Sequence, residues 1–313
     1  MMQRKIGALS TSVLGIGCNN MGRGLDQNAT QEIVDAALDS GINYFDTADK
    51  YGETRSESFL GKAIRAKRSQ IIVATKFGLV LPDQPASGGA SASWIRNAVI
   101  GSLTRLDTDY IDLYQLHRPD PNVPLEETLG ALNDLVKEGL VREIGVSNAS
   151  ASELQQAWDV SEAYGFSKYV SVQNEYSMIR KSSETDGVFD FCDATGTAFV
   201  PYYPLASGLL TGKYQHGKPD PEGTRLSTIK LYQDWFSDED HQLAKDIVSA
   251  LIKEGYDPLV AAIQWILRQP SVSCVITGAS RPQQVLDNTR AVNTALNQKD
   301  LVAISDIVKE VRR

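Results

Sequence analysis

The sequence predicts an α/β chain folded as a (β/α)8 TIM barrel with an N-terminal hairpin and extra C-terminal helices. Three observations carry this reading. Eight short apolar runs, several rich in β-branched residues, are spaced along the chain; segments of helical periodicity separate most of them; and run after run ends in a polar side chain. Alternating strands and helices build a parallel sheet, eight such strands close into a barrel, and their carboxyl ends then surround one mouth. At 313 residues the chain has room for two ordinary domains. No shift in composition marks a linker, however, so residues 1–313 are expected to form a single domain.

Polar residues alternate with Ile6, Leu9 and Val13 around Gly7, the pattern of a short hairpin capping one end of the core. Gly15-Ile16-Gly17 begins like a dinucleotide-binding glycine fingerprint. The third glycine is missing and the chain runs into Met21-Gly22-Arg23-Gly24, so the segment reads as the first barrel strand followed by a loop. Helical periodicity over 28–39 leads through Gly41 to a strand at 43–47, and the next helix is expected over 56–66. The strand 71–76 ends in Lys76; after a helix over 93–106, the strand 111–117 ends in His117. Helix 125–137 then leads to strand 141–148, and helix 152–164 to strand 169–174. The seventh strand, 198–202, opens onto a loop rich in glycine and proline, and the eighth, 273–277, follows helical segments at 241–252 and 258–268. The loop 205–238 is long enough to be read as functional. A last helix, 298–311, is expected outside the barrel or across one end.

Composition removes several classes of function. With a formal charge of -8 and no dense Lys/Arg cluster, no nucleic-acid partner is expected. A small anion needs only a few local cations, so a phosphorylated cofactor stays open. The apolar runs are strand-sized, far short of the roughly 20 residues of a membrane span, and residues 1–9 do not resemble a secretory signal. A soluble, cytoplasmic protein without membrane association is the expectation. Cys18, Cys192 and Cys274 are odd in number and widely spaced, which suggests reduced core thiols. His216 and His241 lack carboxylates or cysteines at ligand spacing, and no metal is expected. Trp94, Trp158 and Trp265 fall in helical patterns and read as packing, whereas Tyr232 and Trp235, in the long loop, are candidates to face substrate.

In a closed barrel Asp46, Tyr51, Lys76 and His117 surround one pocket. A lysine beside a tyrosine stabilises the phenolate, and a carboxylate paired with that lysine keeps it charged and oriented. Tyr51 becomes a candidate general acid/base, and a histidine within reach can orient a substrate oxygen. Taken singly, a lysine at a strand end is commonly a surface charge, a lone histidine a satisfied polar group, and Asp46 a turn cap. Their joint appearance in strand order outweighs those readings.

On these residues the chain resembles the aldo-keto reductase superfamily. The matching segments are 41–48 leading to Tyr51-Gly52, then Ala74-Thr75-Lys76, Tyr114-Gln115-Leu116-His117, and Gly139 through Gly145-Val146-Ser147-Asn148. The resemblance covers nearly the whole chain. It implies an Asp46, Tyr51, Lys76 and His117 tetrad, NADPH (NADP) as cofactor, and a small-molecule aldehyde or ketone as substrate, reduced reversibly to an alcohol. Ser147, Asn148 and Gln173 are then the expected partners of the nicotinamide carboxamide, and Tyr202 its stacking neighbour. The segment 202–213, through Leu205, Ser207, Gly208, Leu210 and Lys213, is expected near the pyrophosphate. Gly278, Ser280, Arg281, Gln284 and Asn288 form the second cofactor segment. There Gly278 permits close backbone approach, the helix start at Pro282 offers N–H groups to an anion, and Arg281 can fork onto a ribose 2′-phosphate, favouring NADPH over NADH. Arg225 is a weaker candidate cation. The sequence departs from the family pattern at Thr277, where proline is usual, and at Tyr203, often serine.

Two alternatives stay open. One is an NADPH-binding regulatory subunit with weak or no catalysis, since the superfamily includes channel-associated proteins; the complete tetrad and the lack of a long segment before the hairpin favour the enzyme. The other is a lyase or isomerase using Lys76 as a Schiff base. Substrate identity, direction and oligomeric state are not encoded in any motif.

Overall fold

The computed structural model describes residues 1–312 apart from 83, 85, 86 and 229–233; the side chains of residues 225 and 228 also lie outside the described set. Tyr232 and the Arg225 side chain, both candidates from sequence, therefore fall outside it.

Strands β1 (Gln3–Ile6) and β2 (Leu9–Ser12) form an antiparallel hairpin. Its turn needs Gly7: φ is +55°, and a Cβ there would sit 2.6 Å from Glu143 Oε1, which accepts the Ala8 N–H. Ile6 and Leu9 plug the barrel floor against Tyr44, Ile72, Leu113 and Cys274.

The barrel comprises β3 (Leu14–Gly17), β4 (Tyr44–Asp46), β5 (Ile72–Phe77), β6 (Ile111–Leu116), β7 (Val141–Ser147), β8 (Tyr169–Gln173), β9 (Ala198–Phe199) and β10 (Val275–Gly278). All neighbours are parallel, in the order β10-β3-β4-β5-β6-β7-β8-β9. The ring closes where Phe199 donates to Ser271 O at 2.7 Å, Ser273 donates to Phe199 O at 3.0 Å and Ile276 donates to Pro201 O at 3.2 Å. Strand β9 is shorter than the expected 198–202 because Pro201 has no N–H for the ladder.

Helices α1 (Gln27–Asp39), α2 (Arg55–Ile64), α3 (Ala92–Leu106), α4 (Leu125–Lys137), α5 (Ala151–Tyr164) and α6 (Val188–Thr195) follow the first strands. Sequence reading missed α6, whose eight residues lie between left-handed Gly187 and Gly196 and are too few to show a clear period. A short α7 (Arg225–Thr228) lies in the long loop; α8 (Asp238–Lys253), α9 (Pro258–Leu267), α10 (Pro282–Asn293) and α11 (Gln298–Val311) complete the chain. Helix α11 packs outside the barrel on α8 and α9. Caps set several starts, including capping boxes at Ser150 with Glu153 and Ser237 with Asp240. The three cysteines are buried and unpaired, and Trp265 is buried in the core. Among the described residues no helix is long and apolar enough to cross a membrane.

Side chains along a strand alternate faces, so Tyr44 and Asp46 share one face, as do Ile72, Ala74 and Lys76, and Leu113 and Gln115. Tyr44, Ile72, Ala74 and Leu113 pack together inside the barrel. Asp46, Lys76, Gln115 and Gln173 consequently form a polar layer toward the carboxyl ends, above that apolar floor. Gly145 makes room for it, since a Cβ there would lie 2.5 Å from Ser171 Oγ and 3.3 Å from Gln115 Cγ.

Candidate active site

Asp46 (3% exposed) and Lys76 (0%) are both buried, a placement that costs several kcal/mol per ion unless each is paired and hydrogen-bonded. Both conditions are met. Lys76 Nζ donates to Asp46 Oδ1 at 2.5 Å and to Thr47 O at 2.9 Å. Asp46 Oδ2 accepts from Gln173 Nε2 at 2.8 Å and Gln115 Nε2 at 3.4 Å. An ammonium so held carries no lone pair for attack on a carbonyl, which argues against the Schiff-base alternative.

Tyr51 sits on a turn fixed from several sides. Its N–H reaches Ala48 O at 3.1 Å, and Ser56, which follows the turn, donates its hydroxyl to Cys18 O at 2.8 Å. Gly52, Glu53 and Thr54 all have positive φ, and a Cβ at Gly52 would lie 2.3 Å from Met21 O. Left-handed non-glycine residues cost energy and cluster where geometry serves a site. The turn places the Tyr51 ring with its centroid 5.0 Å from Lys76 Nζ and 5.7 Å from the His117 ring, edge to face at 80°. His117 is anchored through its backbone, donating to Phe77 O at 2.8 Å and accepting Asn148 Nδ2 at 3.0 Å. Its buried Nδ1 has no partner among the described residues. Burial, with Lys76, Arg118 and Lys50 adding to it, pushes the imidazole down to about 3, so it is neutral at neutral pH with one donor and one acceptor nitrogen.

Asp49, a carboxylate in the loop between Asp46 and Tyr51, is fully buried, and among the described residues its oxygens make no well-formed hydrogen bond. Its backbone N–H is held by Lys76 O at 3.0 Å, which turns the side chain inward while Lys50 stays exposed. Nearby Glu57 is also buried, accepting from Thr75 Oγ1 at 2.5 Å and Arg105 Nε at 2.7 Å. Burial and then Glu57 push the Asp49 carboxyl up to about 8, against Arg105, the Lys50 N–H and Lys76. The folded state thus holds a proton that the unfolded chain has lost between pH 3.8 and about 8, and this contribution to stability declines as pH rises through that window. Asp49→Asn should therefore gain thermal stability relative to wild type as pH rises from 4 toward 8; a constant difference in melting temperature across that range would contradict this assignment.

The expected carboxamide partners are brought together, largely through one another. Ser147 Oγ donates to Gln173 O at 2.7 Å, Asn148 Nδ2 reaches Ser147 Oγ at 3.1 Å, and Tyr202 OH donates to Asn148 Oδ1 at 2.8 Å. Gln173, expected on the cofactor, spends its amide N–H on Asp46 because β8 points it into the polar layer. Gln115, named from sequence only within a matching segment, was not singled out as a site residue, though the same two-residue period could have found it.

The segment after β9 has positive φ at Tyr203, Ala206, Ser207 and Gly208. Ser207 Oγ is buried without a partner among the described residues, and a Cβ on Gly208 would lie 2.8 Å from Lys213 Nζ. Leu205 O accepts the Gly208 and Leu210 N–H groups at 2.8 and 3.3 Å, while the Leu210 side chain is in the core. An orphaned hydroxyl, a bare glycine and an ammonium beside a left-handed turn suit a bound anion. After β10, Gly278 and Arg281 are exposed, Ser280 N–H is held by Gln284 Oε1 at 2.7 Å, and Asn288 is buried on the same face of α10. Among the described residues no side chain caps α10, so the helix start at Pro282 keeps N–H groups that suit an anion. Thr277 is buried, with Oγ1 on Gly15 O at 3.3 Å. These residues fit a nicotinamide dinucleotide cofactor.

The other departure, Tyr203, braces the long loop, its ring 5.7 Å from Trp235 and 6.0 Å from Phe236. Trp235 Nε1 donates to Glu175 Oε1 at 3.2 Å, and Arg180 binds Trp235 O and Asp240, each at 2.7 Å. Arg180 and Glu175 were not anticipated from sequence; they fasten the loop near the end of β8. His216 does find a carboxylate, Asp246 at 2.8 Å, but among the described residues no group of three or more metal-binding side chains forms.

A sequence model of the Aldo/keto reductase family matches residues 13–309. The chain belongs to this family. Among its relatives, an aldo-keto reductase of Fusarium vanettenii is 32% identical over 88% of this chain and 80% of its own. A probable voltage-gated potassium channel subunit beta of Arabidopsis thaliana is also 32% identical, over 91% of this chain and 88% of its own. The holo form of an aldo-keto reductase from Bacillus halodurans superposes with a TM-score of 0.76 at 31% identity, covering 98% of this chain and 96% of that one. This aldo/keto reductase thus shares its barrel with a solved member of the family.

Proposed function

We propose that this family member is a single-domain, cytoplasmic, NADPH-dependent reductase of aldehydes or ketones, with Tyr51 as general acid/base. The observation that carries the reading is the buried Lys76–Asp46 pair at 2.5 Å set below the Tyr51 ring. Bound NADPH supplies the hydride. Tyr51 donates its proton to the carbonyl oxygen; the Lys76 charge stabilises the phenolate left behind, and Asp46 holds that ammonium in place. Neutral His117 orients the same oxygen with its N–H. Tyr202 would hold the nicotinamide, the 203–213 segment the pyrophosphate, and Arg281 the ribose 2′-phosphate.

The channel-subunit name of one relative supports a second reading, in which NADPH is bound for regulation and turnover is weak. The complete Asp46, Tyr51, Lys76 and His117 set supports catalysis. A panel of carbonyl compounds followed at the NADPH absorbance, with NADH in parallel, separates the two. Within it, Arg281→Ala should weaken NADPH by about 10- to 100-fold, the size of a lost charge-assisted contact, with a much smaller effect on NADH. Equal losses for both cofactors would remove Arg281 from the 2′-phosphate.

A further inference from the structure

Two exposed cations adjoin the reacting groups: Lys50 immediately precedes Tyr51, and Arg118 immediately follows His117. Neither side chain has a hydrogen-bond or ion-pair partner among the described residues. Most nearby acids are already engaged: Asp46 with Lys76, Glu57 with Arg105, Glu53 with Arg55, and Glu175 with Arg180, which Asp240 shares. Asp49 is sealed beneath the turn, and Asp120 is spent on the Ala90 and Asn122 N–H groups. Lys50 and Arg118 thus remain cations with no carboxylate in ion-pair contact among the described residues. Both cations add to burial and Lys76 in keeping the His117 ring neutral, and at Tyr202 Arg118 opposes the larger effect of Glu175. They stand on the loops after β4 and β6, whereas Lys213 and Arg281, assigned to the cofactor phosphates, follow β9 and β10.

We propose that Arg118 and Lys50 form an anion seat beside Tyr51 and His117, so that the preferred carbonyl substrate carries a carboxylate or phosphate near its aldehyde or ketone carbon. This rests on the reductase reading and narrows its substrate class. Exposed cations act weakly at long range in salt, with a Debye length of about 8 Å at physiological ionic strength, so the seat works by contact with the bound anion.

The test compares kcat/KM for para-formylbenzoate, its methyl ester and para-formylphenyl phosphate, using NADPH and the full chain. The expected result is a preference of about tenfold for an anionic aldehyde over the ester, appearing mainly in KM and shrinking as salt is raised. Whichever anion is preferred more strongly identifies the group the seat takes. Arg118→Gln should reduce the anion-to-ester ratio severalfold, Arg118→Lys should restore part of it, and Lys50→Gln should reduce it less. A wild-type ratio at or below one, or a ratio unmoved in both Gln variants, overturns the seat while leaving the reductase reading intact. Tight NADPH binding with no turnover of any of the three compounds overturns that reading and the seat with it.

Discussion

Tyr51→Phe should lower kcat by about two to four orders of magnitude, the usual contribution of a positioned general acid. The ring and its packing survive: the edge-to-face contact with His117 and the position above Lys76 need no hydroxyl. NADPH affinity, read by fluorescence titration, should therefore be retained, as should thermal stability. The loss belongs in kcat because proton donation occurs only as the carbonyl is reduced. Full turnover on a good substrate would end the assignment of Tyr51.

Lys76→Met should be as damaging, in a second currency. It leaves Asp46, 3% exposed, with two amide donors among the described residues, Gln173 and Gln115. Breaking a buried pair from one side typically destabilises by about 3–5 kcal/mol, because the remaining charge has no counterion. Denaturant unfolding should show a loss of that order beside a collapse in turnover. The double variant Asp46→Asn/Lys76→Met, which buries no charge, should recover much of the stability and none of the turnover. A single variant as stable as wild type would contradict a stabilising role for the Asp46–Lys76 pair.

The polar layer was legible from sequence to the extent that strand ends announce themselves. Asp46, Lys76 and His117 terminate apolar runs, and a barrel brings such ends to one mouth. Tyr51 was legible as the residue before a glycine in the following loop. What periodicity could not show is where loop side chains turn. Asp49 and Lys50 are adjacent and both charged, yet one is sealed and the other exposed, because a backbone hydrogen bond to Lys76 decides it. Gln173 shows a different gap: its position on the barrel interior was readable, but its commitment to Asp46 depends on a contact between residues 127 apart in sequence. The clasp of Arg180 on Asp240 and Trp235 is likewise tertiary, with no local pattern to reveal it.

The most direct test of hydride transfer at this site is the isotopic composition of the alcohol formed from an aldehyde and NADPH dideuterated at the nicotinamide C4. The expected product carries one deuterium on the carbinol carbon, formed by the wild type and suppressed in Tyr51→Phe. NADPH bound tightly, with no deuterated alcohol from any aldehyde or ketone tried, would contradict a reductase and leave the chain a nucleotide-binding subunit.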